Sequence, residues 1–198
     1  MDIMIATGNK NKVREYKEML EPLGFTVHDT SELTDYVEPV EDGTTFAENA
    51  LIKARGVYDH VSMISIADDS GLSIRALNNE PGIHSARYME GYGYPEKNRN
   101  LIERLKGSED RFAWFTCDIA LIDHNGKPHV FEGIMEGQIA FEPAGNNGFG
   151  YDPIFWLPEY GMTSAQLTPD EKNAISHRGQ ATRKLVEFLK KEYGDEQE

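Results

Sequence analysis

Two adjacent carboxylates, Asp68 and Asp69, follow an apolar run and lead into Ser70 and Gly71. Charge is costly to bury, so acids at the end of an apolar strand point to chemistry, although Asp-Ser-Gly also suits a plain exposed turn. Strand neighbours face opposite ways. One acid can therefore hold a metal or act as a base while the other orients backbone amides. Glu41 and Asp42, in an acidic loop, are candidates to join Asp69 around a hard cation such as Mg²⁺, which takes oxygen ligands and few protein contacts. Without further context that loop reads as solvated surface.

Three further groups have chemical potential. Thr7-Gly8-Asn9-Lys10-Asn11-Lys12 lies between a strand and a helix, where backbone N–H groups can meet phosphate. It lacks the Walker spacing. Phe149-Gly150-Tyr151-Asp152-Pro153 offers rings to stack on a flat base and a carboxylate to accept a base N–H; the alternative is a turn with core aromatics. Its glycines run the wrong way for a dinucleotide fingerprint. Lys172 with Ser176-His177-Arg178 suits a phosphate or a polar purine edge. Arg14 and Arg183 read as solvated helix residues. Cys117 sits in an apolar strand as a small hydrophobe. The six histidines show no metal-ligand spacing, and HExxH and GxSxG are absent.

The elements that must position these groups follow from periodicity. Residues 3–6 read as a buried strand. A helix follows with Val13, Tyr16, Leu20 and Leu23, stopping near Pro22 and Gly24. Residues 25–28 are a second strand. Thr45 and Glu48 form a capping box for a helix with Ala47, Ala50, Leu51, Ala54, Val57 and Tyr58 on one face. Residues 63–67 are a buried strand leading into the paired acids. Pro95 opens a short helix that Gly107 ends. Residues 112–122 alternate, with Phe115, Cys117, Ile119 and Leu121 on one face, and Asn125-Gly126 is a hairpin turn. His129 to Phe141 reads as one or two strands broken at Gly137. A glycine-rich loop, residues 145–150, precedes a strand at 154–157. Thr168-Pro169-Asp170-Glu171 starts another helix. The last helix carries Ala181, Leu185, Phe188 and Leu189, and an acidic tail from Gly194 to Glu198 should fray. The pattern βαβαβ, then antiparallel strands, then helix, gives an α/β protein with a mixed sheet and two possible lobes.

Composition narrows the function. At 198 residues the chain suits one domain, or two lobes sharing a core. Thirty-four acids against 20 bases give a net charge of −14, which repels nucleic acid and anionic membranes. A small anionic substrate needs a metal or a local basic pocket to offset that field. One cysteine excludes an internal disulfide and a CxxC zinc site. No apolar run reaches the roughly 18 residues that span a bilayer. The Met-Asp-Ile-Met-Ile start lacks the basic region of a signal peptide. A soluble cytoplasmic protein is the expectation.

Taken in order, the motifs resemble the inosine triphosphate pyrophosphatase family of purine NTP house-cleaning enzymes. They are Thr7-Gly8-Asn9-x-x-Lys12, Glu41 before Thr45-Phe46-Ala47-Glu48-Asn49-Ala50, Ile66-Ala67-Asp68-Asp69-Ser70-Gly71, Pro81-Gly82, Ser85-Ala86-Arg87-Tyr88, Phe149-Gly150-Tyr151-Asp152-Pro153, Glu171-Lys172-Asn173 and Ser176-His177-Arg178. The likeness spans residues 3 to 190. It implies an elongated mixed β-sheet flanked by helices, with two lobes and a substrate cleft between them, in one domain over residues 1–198. It also implies a homodimer and Mg²⁺-assisted hydrolysis of ITP, dITP and XTP to monophosphate and pyrophosphate.

By the same resemblance, Thr7, Gly8, Asn9, Lys10, Asn11 and Lys12 cradle the triphosphate. Glu41 and Asp69 hold Mg²⁺, with Asp42 the alternative to Glu41. Asp69 accepts the proton of the attacking water, and Ser70 contacts substrate. Phe149, Gly150, Tyr151 and Asp152 hold the purine, whose edge Lys172, His177 and Arg178 read. Two departures stand out: Asn78-Asn79 replaces common glycines, and His84 replaces a tyrosine. The rival readings are a Maf-type pyrophosphatase of pyrimidine nucleotides and a non-catalytic purine nucleotide sensor.

Overall fold

The computed structural model describes residues 1–194. Beyond Gly194, the expected acidic tail lies outside the described residues. The strands are β1 (Asp2–Ile5), β2 (Thr26–Asp29), β3 (Ile64–Ile74), β4 (Glu80–Pro81), β5 (Phe112–Ile122), β6 (Pro128–Ile139), β7 (Phe155–Leu157) and β8 (Met162–Thr163). The α-helices are α1 (Lys10–Leu20), α2 (Phe46–Val61), α3 (Tyr94–Arg104), α4 (Pro169–Ile175) and α5 (His177–Tyr193). The strands form one mixed sheet in the order β2-β1-β3-β5-β6-β7-β8, with β4 on β3. β1 pairs parallel with β2 and β3, while β6, β7 and β8 pair antiparallel. This is the mixed α/β sheet expected from the sequence.

The chain forms two compact units. The first takes residues 1–69, 118–132 and the chain from Ala181; the second takes residues 70–117 and 133–180. In the first unit, Val13, Tyr16 and Leu20 bury one stripe of α1. Gly24, at φ +86, closes the turn that follows. Helix α2 packs through small residues: Ala50 and Ala54 meet Ala67, Ala120 and Ile122. Small side chains let a helix approach a sheet closely, which places α2 polar residues beside the middle of β3. The Thr45 cap is half as expected. Thr45 Oγ1 accepts from Glu48 N at 3.1 Å, but the Glu48 carboxylate accepts from Thr44 N at 2.6 Å rather than closing the box on Thr45. The Asn125-Gly126 hairpin is present, with Asp123 N donating to Lys127 O at 2.9 Å.

The second unit is built on Leu72, Ile74, Leu101, Leu105, Phe115, Ile154, Phe155 and Leu167. Asn78 and Asn79, at φ +54 and +66, adopt the left-handed conformation that glycine would supply. Asn tolerates that region better than most residues, so the departure keeps the turn. The α4 capping box is complete: Thr168 and Glu171 each accept from the other's backbone N–H.

Two strand expectations need correction. β3 does not end at the acids but runs on through Asp69 and Ser70 to Ile74, because Leu72 and Ile74 bury in the second core. β6 is unbroken at Gly137. There the missing side chain admits β7: a Cβ would lie 2.6 Å from the Trp156 carbonyl oxygen and 2.8 Å from the Phe155 ring.

Candidate functional site

In the first unit, strand β3 delivers Asp68 and Asp69 to opposite sides. Asp68 is 5% exposed, and its Oδ2 accepts from Lys12 Nζ at 3.0 Å. Its carbonyl accepts from Lys53 Nζ at 2.6 Å, and the same ammonium lies 3.1 Å from Glu41 Oε1. Lys53 and Asn49 are one helical turn apart on α2, so both reach this place. Burial pushes the Asp69 carboxyl up to about 6 from an ordinary 3.8. The Lys53 charge opposes that rise, the Glu41 charge adds to it, a hydrogen bond with Asn49 opposes it, and the Asp68 charge adds to it. Asn49 Oδ1 also accepts from Gly43 N at 2.9 Å, which ties the acidic loop to α2. Glu41 thus faces Lys53, whereas Asp42 is exposed.

The Thr7 to Lys12 segment behaves as a helix start. Asn9 Oδ1 accepts from Asn11 N at 3.0 Å and Lys12 N at 3.4 Å, and Thr7 Oγ1 accepts from Asn9 N at 3.1 Å. Gly8, Asn9, Lys10 and Asn11 are exposed. Of the two lysines, Lys12 is the one drawn to the acids.

Among the described residues no cluster of three or more His, Cys, Asp and Glu forms a cage. Three carboxylates, Glu41, Asp68 and Asp69, meet two ammoniums, Lys12 and Lys53, leaving one net negative charge. The carboxylates offer only oxygen ligands. Mg²⁺ keeps several waters and uses one or two carboxylates plus substrate phosphates, so Glu41 and Asp69 fit it.

The second unit holds the aromatic and cationic groups. Phe149 is 68% exposed, on the turn before Asp152. Asp152 is 2% exposed with both oxygens engaged. Oδ1 accepts from Ser164 Oγ at 2.8 Å; Oδ2 accepts from Phe149 N at 2.9 Å and from the Lys172 ammonium. A Cβ on Gly148 would sit 2.2 Å from Asp152 Oδ2, so glycine is required there. Lys172 and Arg178 lie over the Phe149 ring, at 4.9 and 5.9 Å from its centroid. Tyr151 is buried, and its hydroxyl donates to Ser85 O at 2.5 Å. His177 stacks on Phe115 with centroids 4.8 Å apart. Its burial, then the charges of Arg178 and Lys172, depress it to about 3, so the ring is neutral. Its Nδ1 is buried without a partner among the described residues.

The two units thus gather the residues named from sequence into an acidic group and an aromatic-cationic group. Ser70, half-buried, begins the second unit directly after Asp69 on the same strand. Lys53 and Asn49 were missed. A polar pair four residues apart, beside the alanines of α2, was the available signal. Asp118 was also missed. It lies on the face of β5 opposite Phe115, Cys117, Ile119 and Leu121, and is 3% exposed. Burial, the charge and hydrogen bond of Glu132, and the charge of Asp69 raise it to about 6.

A mixed α/β sheet with a carboxylate–lysine group in one unit and a ring-and-cation group in the other suits a protein that handles a charged, ring-bearing ligand. Comparison makes this specific: residues 3–188 match the Ham1 family, and the chain belongs to it. The dITP/XTP pyrophosphatase of Desulforamulus reducens is 43% identical over 199 residues, covering 98% of both chains. That of Thermus thermophilus is 46% identical, covering 96% of this chain and 92% of its own. The Ham1 protein structure from Staphylococcus aureus superposes with a TM-score of 0.92 at 39% identity, covering 97% of this chain and all of the other. Among the described residues no helix is long and apolar enough to cross a membrane.

Proposed function

We propose that this chain hydrolyses non-standard purine nucleoside triphosphates, ITP, dITP and XTP, to the monophosphate and pyrophosphate. The observation that carries this reading is Asp69, half-buried beside Glu41 and Lys53 and raised to about 6. Perturbed carboxylates with a specific charge partner mark sites of chemistry. Relatives named dITP/XTP pyrophosphatase, at 43% and 46% identity, support the substrate class.

In this reading Glu41 and Asp69 hold Mg²⁺. The ion, when bound, neutralises phosphate charge and makes water more acidic. Asp69 takes the proton of the attacking water, the new P–O bond forms, and the bond to the pyrophosphate leaving group breaks. Lys53 keeps Glu41 and the Asp68 carbonyl in place, and Lys12 with the residues from Thr7 onward meets the triphosphate. Phe149 gives the purine a flat face. Lys172 and Arg178 offer only donors, which match a 6-oxo acceptor. A 6-amino group would leave buried donors unpaired, and such mismatch discriminates strongly. A homodimer and one two-lobed domain are further parts of this proposal, carried by the resemblance of the motifs; a soluble, cytoplasmic protein is another, carried by the composition and the lack of a bilayer-length apolar run.

Asp69→Asn tests the chemistry. Turnover of ITP should fall by about two orders of magnitude or more while ITP binding is kept. Unchanged turnover would remove Asp69 from the role of base and favour a reading in which the acids are structural.

A further inference from the structure

The exposed Phe149 ring has little core to fix it, so its place depends on how its main chain is held. One side is held by Asp152, which accepts from Phe149 N. The other side is Gly150, in the left-handed region at φ +64. Its carbonyl accepts from Asn98 Nδ2 at 3.2 Å. Asn98 lies on the buried face of α3 with Leu101 and is 3% exposed. From the same helix Tyr94 packs against Gly150, 3.5 Å from where a Cβ would stand, and edge-on to Tyr151 with centroids 5.2 Å apart.

Asn98 is an expensive choice for that place. Its Oδ1 is buried with no partner among the described residues. An unmet buried acceptor costs about 1–3 kcal/mol, which a leucine of similar size would avoid. Packing therefore does not account for an amide here, whereas the hold on Gly150 does.

We propose that Asn98 is a positioning residue for purine recognition: its amide fixes the Gly150 carbonyl and thereby sets where the Phe149 ring meets the base. The inference rests on the purine reading of the second unit. Asn98 touches no reacting atom, so its loss should weaken binding of the base and leave the chemical step alone.

The test compares the unaltered protein with Asn98→Leu in steady-state hydrolysis of ITP, XTP and GTP with Mg²⁺, alongside thermal unfolding. The expected result is an ITP KM raised about tenfold, a smaller preference for ITP over GTP, and a near-constant kcat. The Tm should hold or rise. If Asn98→Leu does not fold, Asn98→Ala serves with the same readouts. KM and preference equal to the unaltered protein would overturn the inference, and so would a parallel loss of kcat and Tm without a change in preference. Failure of the unaltered protein to turn over ITP at all would overturn the purine reading, and this inference with it.

Discussion

A neutral, buried histidine makes a protein sensitive to acid. His177 is held near 3 when folded, while an unfolded histidine titrates near 6.5. Between those values the unfolded chain binds the extra proton, so stability rises with pH across the window and is lost as pH falls through 6.5. At pH 5 the loss from this residue should reach about 2 kcal/mol. Urea unfolding at pH 5 and pH 8 checks this. The gap in stability between the two should be larger in the unaltered protein than in His177→Gln; equal gaps would contradict a neutral His177. At the acidic group, Lys53→Met removes the ammonium that pairs with Glu41 and holds the Asp68 carbonyl. ITP turnover should fall roughly 10- to 100-fold as the carboxylates lose their organiser. An effect below twofold would make Lys53 a bystander.

Elements were legible where their signal was local. The Thr168–Glu171 box, the Asn125-Gly126 hairpin and the α1 stripe each depend on a few neighbouring residues, and each is present. What depended on distant partners was not legible. Asp68 to Gly71 has turn composition, yet lies mid-strand because neighbouring strands and a second core continue β3. Asp118 lies opposite the apolar face read from the sequence, and is buried because β5 is covered on both faces. Gly137 looked like a break because glycine weakens strands in general; here it makes room for β7. Gly137→Ala should therefore destabilise the protein by about 1–3 kcal/mol, since the new methyl meets backbone that cannot move aside. Chemical denaturation measures this, and an unchanged midpoint would show that β7 yields easily.

At the scale of the whole molecule, the chain divides its chemistry between two units, each assembled from separated stretches of sequence. Motif order revealed most candidate residues, because each motif lies within one short segment. The pairing of Glu41 with Asp69 was readable from sequence, but the place of Lys53 beside them was not, since it depends on the docking of α2 on β3. The net charge of −14 makes this grouping matter. A triphosphate is repelled by the molecule at large, and in the proposed reading a cation, with Lys12 and Lys53, would offset that field. The most direct test of the central claim is pyrophosphate release by purified protein with Mg²⁺ from ITP, XTP, dITP, GTP, ATP, UTP and dTTP. Rapid release from the first three with weak release from GTP and ATP is the predicted result. Rapid UTP or dTTP turnover with ITP near background, or ITP binding without any turnover, would contradict it.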